Sequence, residues 1–283
     1  MGSDGTPLEE RKLKEAAFHD SLRKVEGDAH VADTRWTPEM EGTIASNELW
    51  ANMKYYSIER RSREFVLKNL RRFAKDKKVL DYCCGNGEDS IVMGKAGAKS
   101  VTGIDISSVS IENCRALAER NGLDNCEFKI ADAENTGFAD DTFDFISEYG
   151  CLHHLELDKA YRELARILKP GGKVICNEAL IHNPVIHLYR KLTPKLRTEW
   201  EVEHILGRRE ILRAYRFFNR VDIHLFHLFD LGAVPFRRLP GFGGILAALE
   251  VLDAVVLRLP LVKWWAWQVV FVLSDPKKKP ADG

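Results

Sequence analysis

Hydrophobic and polar positions divide the chain into three regimes. Between 77 and 179, short apolar runs alternate with longer amphipathic stretches. Residues 78–82, 100–105, 127–130, 143–147 and 173–177 read as buried strands, and 89–96, 108–120 and 157–168 as the helices between them. Such alternation means βαβ units and a parallel sheet. Right-handed crossovers then bring the turns after the first, second and fourth strands to one edge, where ligands bind. Residues 1–76 read as mostly helical. Thr6-Pro7-Leu8-Glu9 supplies an N-cap, a first-turn proline and a capping-box glutamate. The helix it opens carries Phe18, Leu22 and Val25 on one face and ends near Gly27, and a loop with Trp36 and Pro38 follows. A second helical region over 47–73 breaks at Ser57 and buries a stripe of Ile58, Val66, Leu70 and Phe73. Beyond 177 the alternation lapses. Residues 181–219 read as helical, 221–229 as a strand, 241–259 as an apolar helix and 264–273 as a closing strand.

The stretch 79–88, Val-Leu-Asp-Tyr-Cys-Cys-Gly-Asn-Gly-Glu, organises this pattern. A strand breaks into a turn of small residues, and a helix restarts behind it with unpaired N–H groups. The second strand ends on Asp105, whose carboxylate can accept both hydroxyls of a ribose. A dinucleotide site wants Gly-x-Gly-x-x-Gly at such a turn, so that a pyrophosphate can meet the helix N-terminus. Here Ser90 takes the third glycine's position, and Glu88 and Asp89 stand where phosphate would lie. A cationic ligand suits this turn better than a pyrophosphate.

With its motifs in order, the chain resembles the class I S-adenosylmethionine-dependent methyltransferases over about 77–179. The first motif appears as Asp81-Tyr82-Cys83-Cys84-Gly85-Asn86-Gly87, with Cys83 in place of the family's first glycine. Gly103-Ile104-Asp105-Ile106-Ser107 is the second, Ala131-Asp132-Ala133 the third, and Phe143-Asp144-Phe145-Ile146 with Leu152-His153-His154-Leu155 the fourth. Leu168-Lys169-Pro170-Gly171-Gly172 is the last. The resemblance implies an α/β fold, a doubly wound, mostly parallel seven-stranded Rossmann-like sheet, with S-adenosyl-L-methionine as cofactor. It implies an S-adenosylmethionine-binding domain over 77–276, a helical lid over 1–76, substrate-side insertions at 181–219 and 237–262, and a tail at 277–283. Asp81 would help hold the cofactor's ammonium beside backbone at Cys83, Gly85 and Gly87, with the carbonyl near Glu148 facing the same group. Asp105 would take the ribose hydroxyls and Ile106 would pack on adenine. Asp132 would accept from the adenine amino group and the Ala133 N–H would donate to the ring.

Composition narrows the partners. Lys+Arg and Asp+Glu both number 42, so no bulk charge recruits nucleic acid. The six cysteines include no Cys-x-x-Cys, which argues against a metal site and for small buried residues in a reducing compartment. The polar N-terminus lacks a signal-peptide core, so a cytoplasmic location is expected. Between 242 and 273 the apolar run is interrupted by Glu250, Asp253, Arg258, Pro260 and Lys263, too often for a membrane span. Peripheral membrane contact by the 242–259 helix, flanked by Arg237 and Arg238, stays open, as does packing across the sheet. The oligomeric state is not legible.

A sulfonium methyl needs alignment and exclusion of water, and a base only where the acceptor must lose a proton. His153, His154 and His182 are the candidate bases, although the adjacent pair can equally order the loop after the fourth strand. Trp50, Tyr55 and Tyr56 either pack the second helical region or cover the site; Tyr189 and Trp200 sit in the insertion that would line a substrate pocket. Arg190, Lys191, Lys195 and Arg197 make that insertion locally basic, whereas 242–273 argues for an apolar acceptor. The expectation is O-methylation, with N- or C-methylation open, of a small, partly apolar metabolite. A protein methyltransferase, a cofactor-binding partner subunit, a non-methylating relative and a nicotinamide dehydrogenase are the alternatives.

Overall fold

The computed structural model describes residues 9–26, 41–42 and 48–278. Its strands are β1 (Lys78–Tyr82), β2 (Ser100–Asp105), β3 (Cys126–Ile130), β4 (Phe143–Tyr149), β5 (Leu168–Ala179), β6 (Phe218–Phe226) and β7 (Gln268–Pro276). They form one seven-stranded sheet in the order β3-β2-β1-β4-β5-β7-β6. Strands β1 to β5 run parallel, and β7 lies antiparallel between β5 and β6. The strand order reverses between β1 and β4, and the register sets Tyr82 beside both Ile104 and Glu148. The carboxyl ends of the three central strands therefore finish level, at the crevice where such sheets bind ligands.

The helices are α1 (Glu10–Glu26), α2 (Arg60–Ala74), α3 (Glu88–Lys95), α4 (Ser108–Arg120), α5 (Leu157–Ile167), α6 (Pro184–Leu192), α7 (Glu199–His204), α8 (Arg208–Leu212) and α9 (Phe242–Val256). Helix α2 lays Val66 and Leu70 on one face of the sheet against Val79 and Phe145. Helix α5 lays Tyr161, Leu164 and Ile167 on the other, against Leu80 and Ile146. Central strands covered on both faces carry apolar side chains in both directions, which is why they read as continuous hydrophobic runs. The break expected at Ser57 is present: 3-10 helix runs from Glu48 to Ser57 and α2 begins at Arg60. Ser107 caps α4 by accepting from the Ser110 N–H at 3.0 Å.

The structure revises several sequence boundaries. β5 starts at Leu168, so Pro170, Gly171 and Gly172 lie within a strand that was expected to begin after them, and its register against β4 shifts between Phe143 and Phe145. β6 spans Phe218–Phe226 and β7 Gln268–Pro276, each displaced from its expected range. The Trp264-Trp265 pair is apolar enough to suggest strand, yet Val262–Trp265 forms a 3-10 turn and extended structure starts at Gln268. The insertion is broken into α6, α7 and α8.

Helix α1 departs most from its expected orientation. Phe18 and Leu22 are only half-buried and Leu13 is exposed, while Lys12 and Glu15 are buried. Its polar side meets the protein because carboxylates and hydroxyls await it there. The cap expected at Thr6-Pro7 and the side chains of Val25 and Trp50 lie outside the described residues.

Gly103 shows how tightly the binding edge is built. A Cβ added there would lie 2.5 Å from Phe128 Cδ1 and 3.2 Å from Cys84 Sγ, two residues before Asp105. Gly103→Ala should therefore cost about 1–3 kcal/mol by overpacking, read as a lowered melting temperature; an unchanged one would show that β2 and β3 yield easily.

Candidate active site

The turn after β1 is shaped by three left-handed residues. Cys83 has φ +58°, Gly85 +51° and Gly87 +86°. Only Cys83 carries a side chain there, at a cost of about 1–2 kcal/mol, and it lines both pockets that flank the turn. Gly85 lines them too, and a Cβ on it would extend into the space beside Arg23. Gly87 is constrained by packing as well as by its backbone angle. A Cβ there would sit 2.9 Å from Cys114 Sγ, so this glycine lets the turn close onto α4.

On one side of the turn, Gly85, Asp105, Ile106, Asp132 and Ala133 line a pocket roofed by α1. Asp105 accepts from the N–H of Ser107 at 2.8 Å and of Gly85 at 3.0 Å. Burial nevertheless raises its pKa above the usual carboxylate range. Asp132 accepts from the Glu134 N–H at 2.9 Å and pairs with Lys12 Nζ at 2.7 Å. Tyr82 fixes the next residue by donating its hydroxyl to the Ala133 carbonyl at 2.5 Å. The roof is tied down by polar contacts: Lys12 and Arg11 to Glu134 at 2.9 and 2.5 Å, Asp20 to the Ser107 hydroxyl at 2.6 Å, and Glu15 to His154 at 2.9 Å. His19 faces His154 with ring centroids 5.0 Å apart; burial and the neighbouring His154 and Arg23 push its pKa down to about 3.

On the other side, Asp81, Arg63, Asp89, Glu59 and Tyr56 line a second, more polar pocket. Asp81 accepts from the Ser90 hydroxyl at 2.6 Å. Burial and the nearby Asp89 carboxylate push its pKa up to about 8. Arg63 pairs with Asp89 at 2.7 Å, and the Ser147 hydroxyl donates to Asp89 at 3.0 Å. This side offers both signs of charge within one pocket, the complement of an amino-acid zwitterion. The other side offers buried carboxylates beside bare backbone and Ile106, the complement of a ribose and a flat base. The residues present therefore fit S-adenosylmethionine.

A third pocket opens beyond Tyr149, which lines all three, and Gly150, which lines the first and third. Tyr55, Tyr56, Tyr189 and Trp267 form its aromatic walls, with Tyr55 centred 5.2 Å from both Tyr189 and Trp267. Arg190, Arg197, Glu201 and His153 supply its polar groups. The adjacent histidines thus serve different pockets, His154 the first and His153 the third. His153 Nδ1 lies 2.7 Å from Glu178. Burial alone would lower its pKa, but the Glu178 carboxylate outweighs that and raises it. Behind the pair, buried Glu148 is driven towards its protonated form by desolvation and by Glu178, whose own pKa His153 holds down.

The Glu148 side-chain carboxylate accepts from the Cys151 N–H at 2.6 Å and orders the loop after β4. Two of the expected site residues are placed differently. His182 is exposed beside Arg208 and Arg209, away from the aromatic pocket. Trp200 stacks on His204 at 3.7 Å and lies 4.5 Å under Arg11, so it buttresses the roof and does not line the aromatic pocket. Glu59, Arg63, Tyr149 and Trp267 are the additions. Tyr149 was discoverable as the exit residue of β4; the other three join the site only through tertiary packing.

Comparison with known proteins agrees with this geometry. A family model described as a methyltransferase domain matches residues 73–220, just over half of the chain. A demethylmenaquinone methyltransferase from Staphylococcus aureus is 31% identical over 184 residues, covering 58% of this chain and 75% of the relative. A ubiquinone/menaquinone biosynthesis C-methyltransferase from Geotalea daltonii is 30% identical over 158 residues, covering 53% and 67%. For other curated relatives the chain spans about half their length, as little as 48%. Among solved structures, a geranyl diphosphate methyltransferase in complex with GPP and sinefungin superposes with a TM-score of 0.60 at 18% identity, covering 93% of this chain and 98% of that one. The strand order, the turn after β1 and the span of the matching model together mean that this chain belongs to the methyltransferase domain family.

Proposed function

We propose that the protein transfers the methyl group of S-adenosylmethionine to the oxygen of an acidic hydroxyl on a small, partly apolar ring acceptor. The observation that carries this reading is the junction of the cofactor-side pockets with an aromatic pocket at Tyr149–Gly150, with His153 on the acceptor side. When bound, S-adenosylmethionine supplies a methyl group already activated by sulfonium charge. The chain's own work is then to hold, align and keep dry. Asp105 and Asp132 hold the nucleoside end, and Asp81 with Arg63 holds the amino-acid end. Helix α1 acts as the lid that excludes water, which strengthens the electrostatics beneath it. Tyr55, Tyr189 and Trp267 grip a flat acceptor between their rings. His153, with Nδ1 committed to Glu178, presents Nε2 for the acceptor's proton.

Transfer to the ring carbon beside the hydroxyl is the second reading. The name of the Geotalea daltonii relative, a C-methyltransferase, favours it. The same base serves both, because removing the hydroxyl proton enriches oxygen and the neighbouring carbon alike. Labelled-methyl transfer to candidate hydroxylated aromatics, with the product bond assigned by NMR, separates the two; no transfer to any of them would contradict both.

Three outcomes follow. In calorimetric titrations, Asp105→Ala should weaken S-adenosylmethionine binding about tenfold or more through two lost hydroxyl partners, and an unchanged affinity would remove Asp105 from the site. Asp81, with its pKa pushed up to about 8, is largely protonated in the free protein at pH 6.5. An arriving ammonium lowers that pKa, so binding should release up to one proton, and affinity should rise with pH towards 8. Buffers of different ionisation heat measure the release; net uptake, or release that persists in Asp81→Asn, would contradict the assignment. Finally, His153→Gln should reduce kcat by about 10²–10⁴-fold without changing cofactor affinity. Because His153 must be neutral to act and its pKa is raised, wild-type activity should fall on the acid side, and Glu178→Gln should move that limb to lower pH.

A further inference from the structure

Helix α9 has its polarity reversed for a helix that faces water. Its two acidic side chains point inward. Glu250, 1% exposed, receives Arg60 at 2.5 and 2.6 Å and Arg61 at 3.2 Å. Asp253, 5% exposed, accepts from the N–H groups of Leu228 and Phe229 at 2.9 and 2.7 Å. Leu246 is buried, but other apolar side chains point outward: Val251 and Val255 are each 61% exposed, and Leu252 and Ile245 are exposed with them. The apolar surface continues through Leu259, Leu261 at 83% and Trp265. Helix α6 starts beside it, where its N-cap Asn183 donates to the Trp265 carbonyl at 2.9 Å. Its Val185, Leu188 and Leu192 face out, while Ile186 joins Leu246 of α9 in one cluster and Tyr189 lines the aromatic pocket. Exposed apolar side chains in this number are stable when something covers them.

Charge identifies the cover. Across 236–265 both carboxylates are turned inward, so the outward charges are cationic: Arg238 and Arg258 are exposed, and Arg237 and Lys263 are partly so. Glu41 pairs with both Arg237 and Arg238, which leaves the rim net positive. Trp265 beside Lys263 is the aromatic–cationic pairing that suits a lipid–water boundary. A second copy in a two-fold contact would bring these cationic rims against one another, whereas an anionic lipid surface neutralises them. Among the described residues no helix is long and apolar enough to cross a membrane, so the contact lies along the surface. We propose that α9, the 259–265 turn and the outer side of α6 dock the protein onto an anionic phospholipid bilayer. Because α6 is shared with the aromatic pocket, docking brings that pocket to the lipid boundary.

Flotation of the full chain with vesicles, in the absence of any methyl donor, tests this separately from catalysis. Vesicles of phosphatidylcholine containing phosphatidylglycerol should carry the protein, and phosphatidylcholine alone or high salt should release it. The double variant Val251→Glu/Val255→Glu should lose binding about tenfold or more. Arg258→Gln and Lys263→Gln should each lose about fivefold. Both valines face outward, so the double variant should keep the wild-type melting temperature and circular dichroism. Failure of the wild type to bind phosphatidylglycerol vesicles, or full binding by the double variant, would overturn the proposal. Sedimentation showing a dimer that the double variant dissolves, without vesicle binding, would assign the face to a second copy instead.

Discussion

Five carboxylates gather at the carboxyl edge of the sheet, and the surrounding structure exists largely to satisfy them. Asp81, Asp132, Glu148 and Glu178 are buried there, and Asp105 is partly so. A buried carboxylate is tolerated only with donors, a cation or a proton. Each solution here is different. Asp105 takes two backbone N–H groups, Asp132 takes Lys12, Glu178 takes His153, Glu148 leans towards protonation, and Asp81 does so as well. The last case leaves the clearest vacancy for a ligand's positive charge. The site's preference for a cationic cofactor over a pyrophosphate follows from that arrangement, beginning with the acidic residues Glu88 and Asp89.

The same constraint explains the orientation of the N-terminal helix. An amphipathic pattern says which face of a helix is apolar, and core burial is the usual inference. Helix α1 instead turns Lys12, Glu15 and Asp20 inward because the edge of the sheet rewards charge and hydrogen bonding more than methyl groups. Helix α9 does the converse on the far side of the aromatic pocket, with Glu250 and Asp253 inward and valines outward. In both helices polarity reports what the helix faces; α9 keeps Leu246 in a small apolar cluster but turns its acids inward and its valines outward.

Much of the fold was legible because strand and helix periods are local. β1 and β2 fall on their expected residues, α4 does too, and the break at Ser57 was readable from the chain. The cofactor side was legible for the same reason: Asp81, Gly85, Asp105, Ile106, Asp132 and Ala133 each sit at a strand exit or the turn behind it. Where the reading missed, tertiary packing decided. Trp200 turned out to serve the roof, because its partner Arg11 lies far along the chain. Arg63 and Glu59 enter the site from a helix whose apolar stripe gave no hint of chemistry. The aromatic pocket draws on 52–59, 149–153, 179–205 and Trp267 together, and no single stretch announces it.

The central claim is that this carboxylate-rich edge receives a nucleoside carrying positive charge. Side-by-side calorimetric titration of the full chain with S-adenosylmethionine and with NAD tests it most directly. The account requires micromolar binding of S-adenosylmethionine and no measurable binding of NAD. Tight NAD binding without binding of S-adenosylmethionine would contradict it.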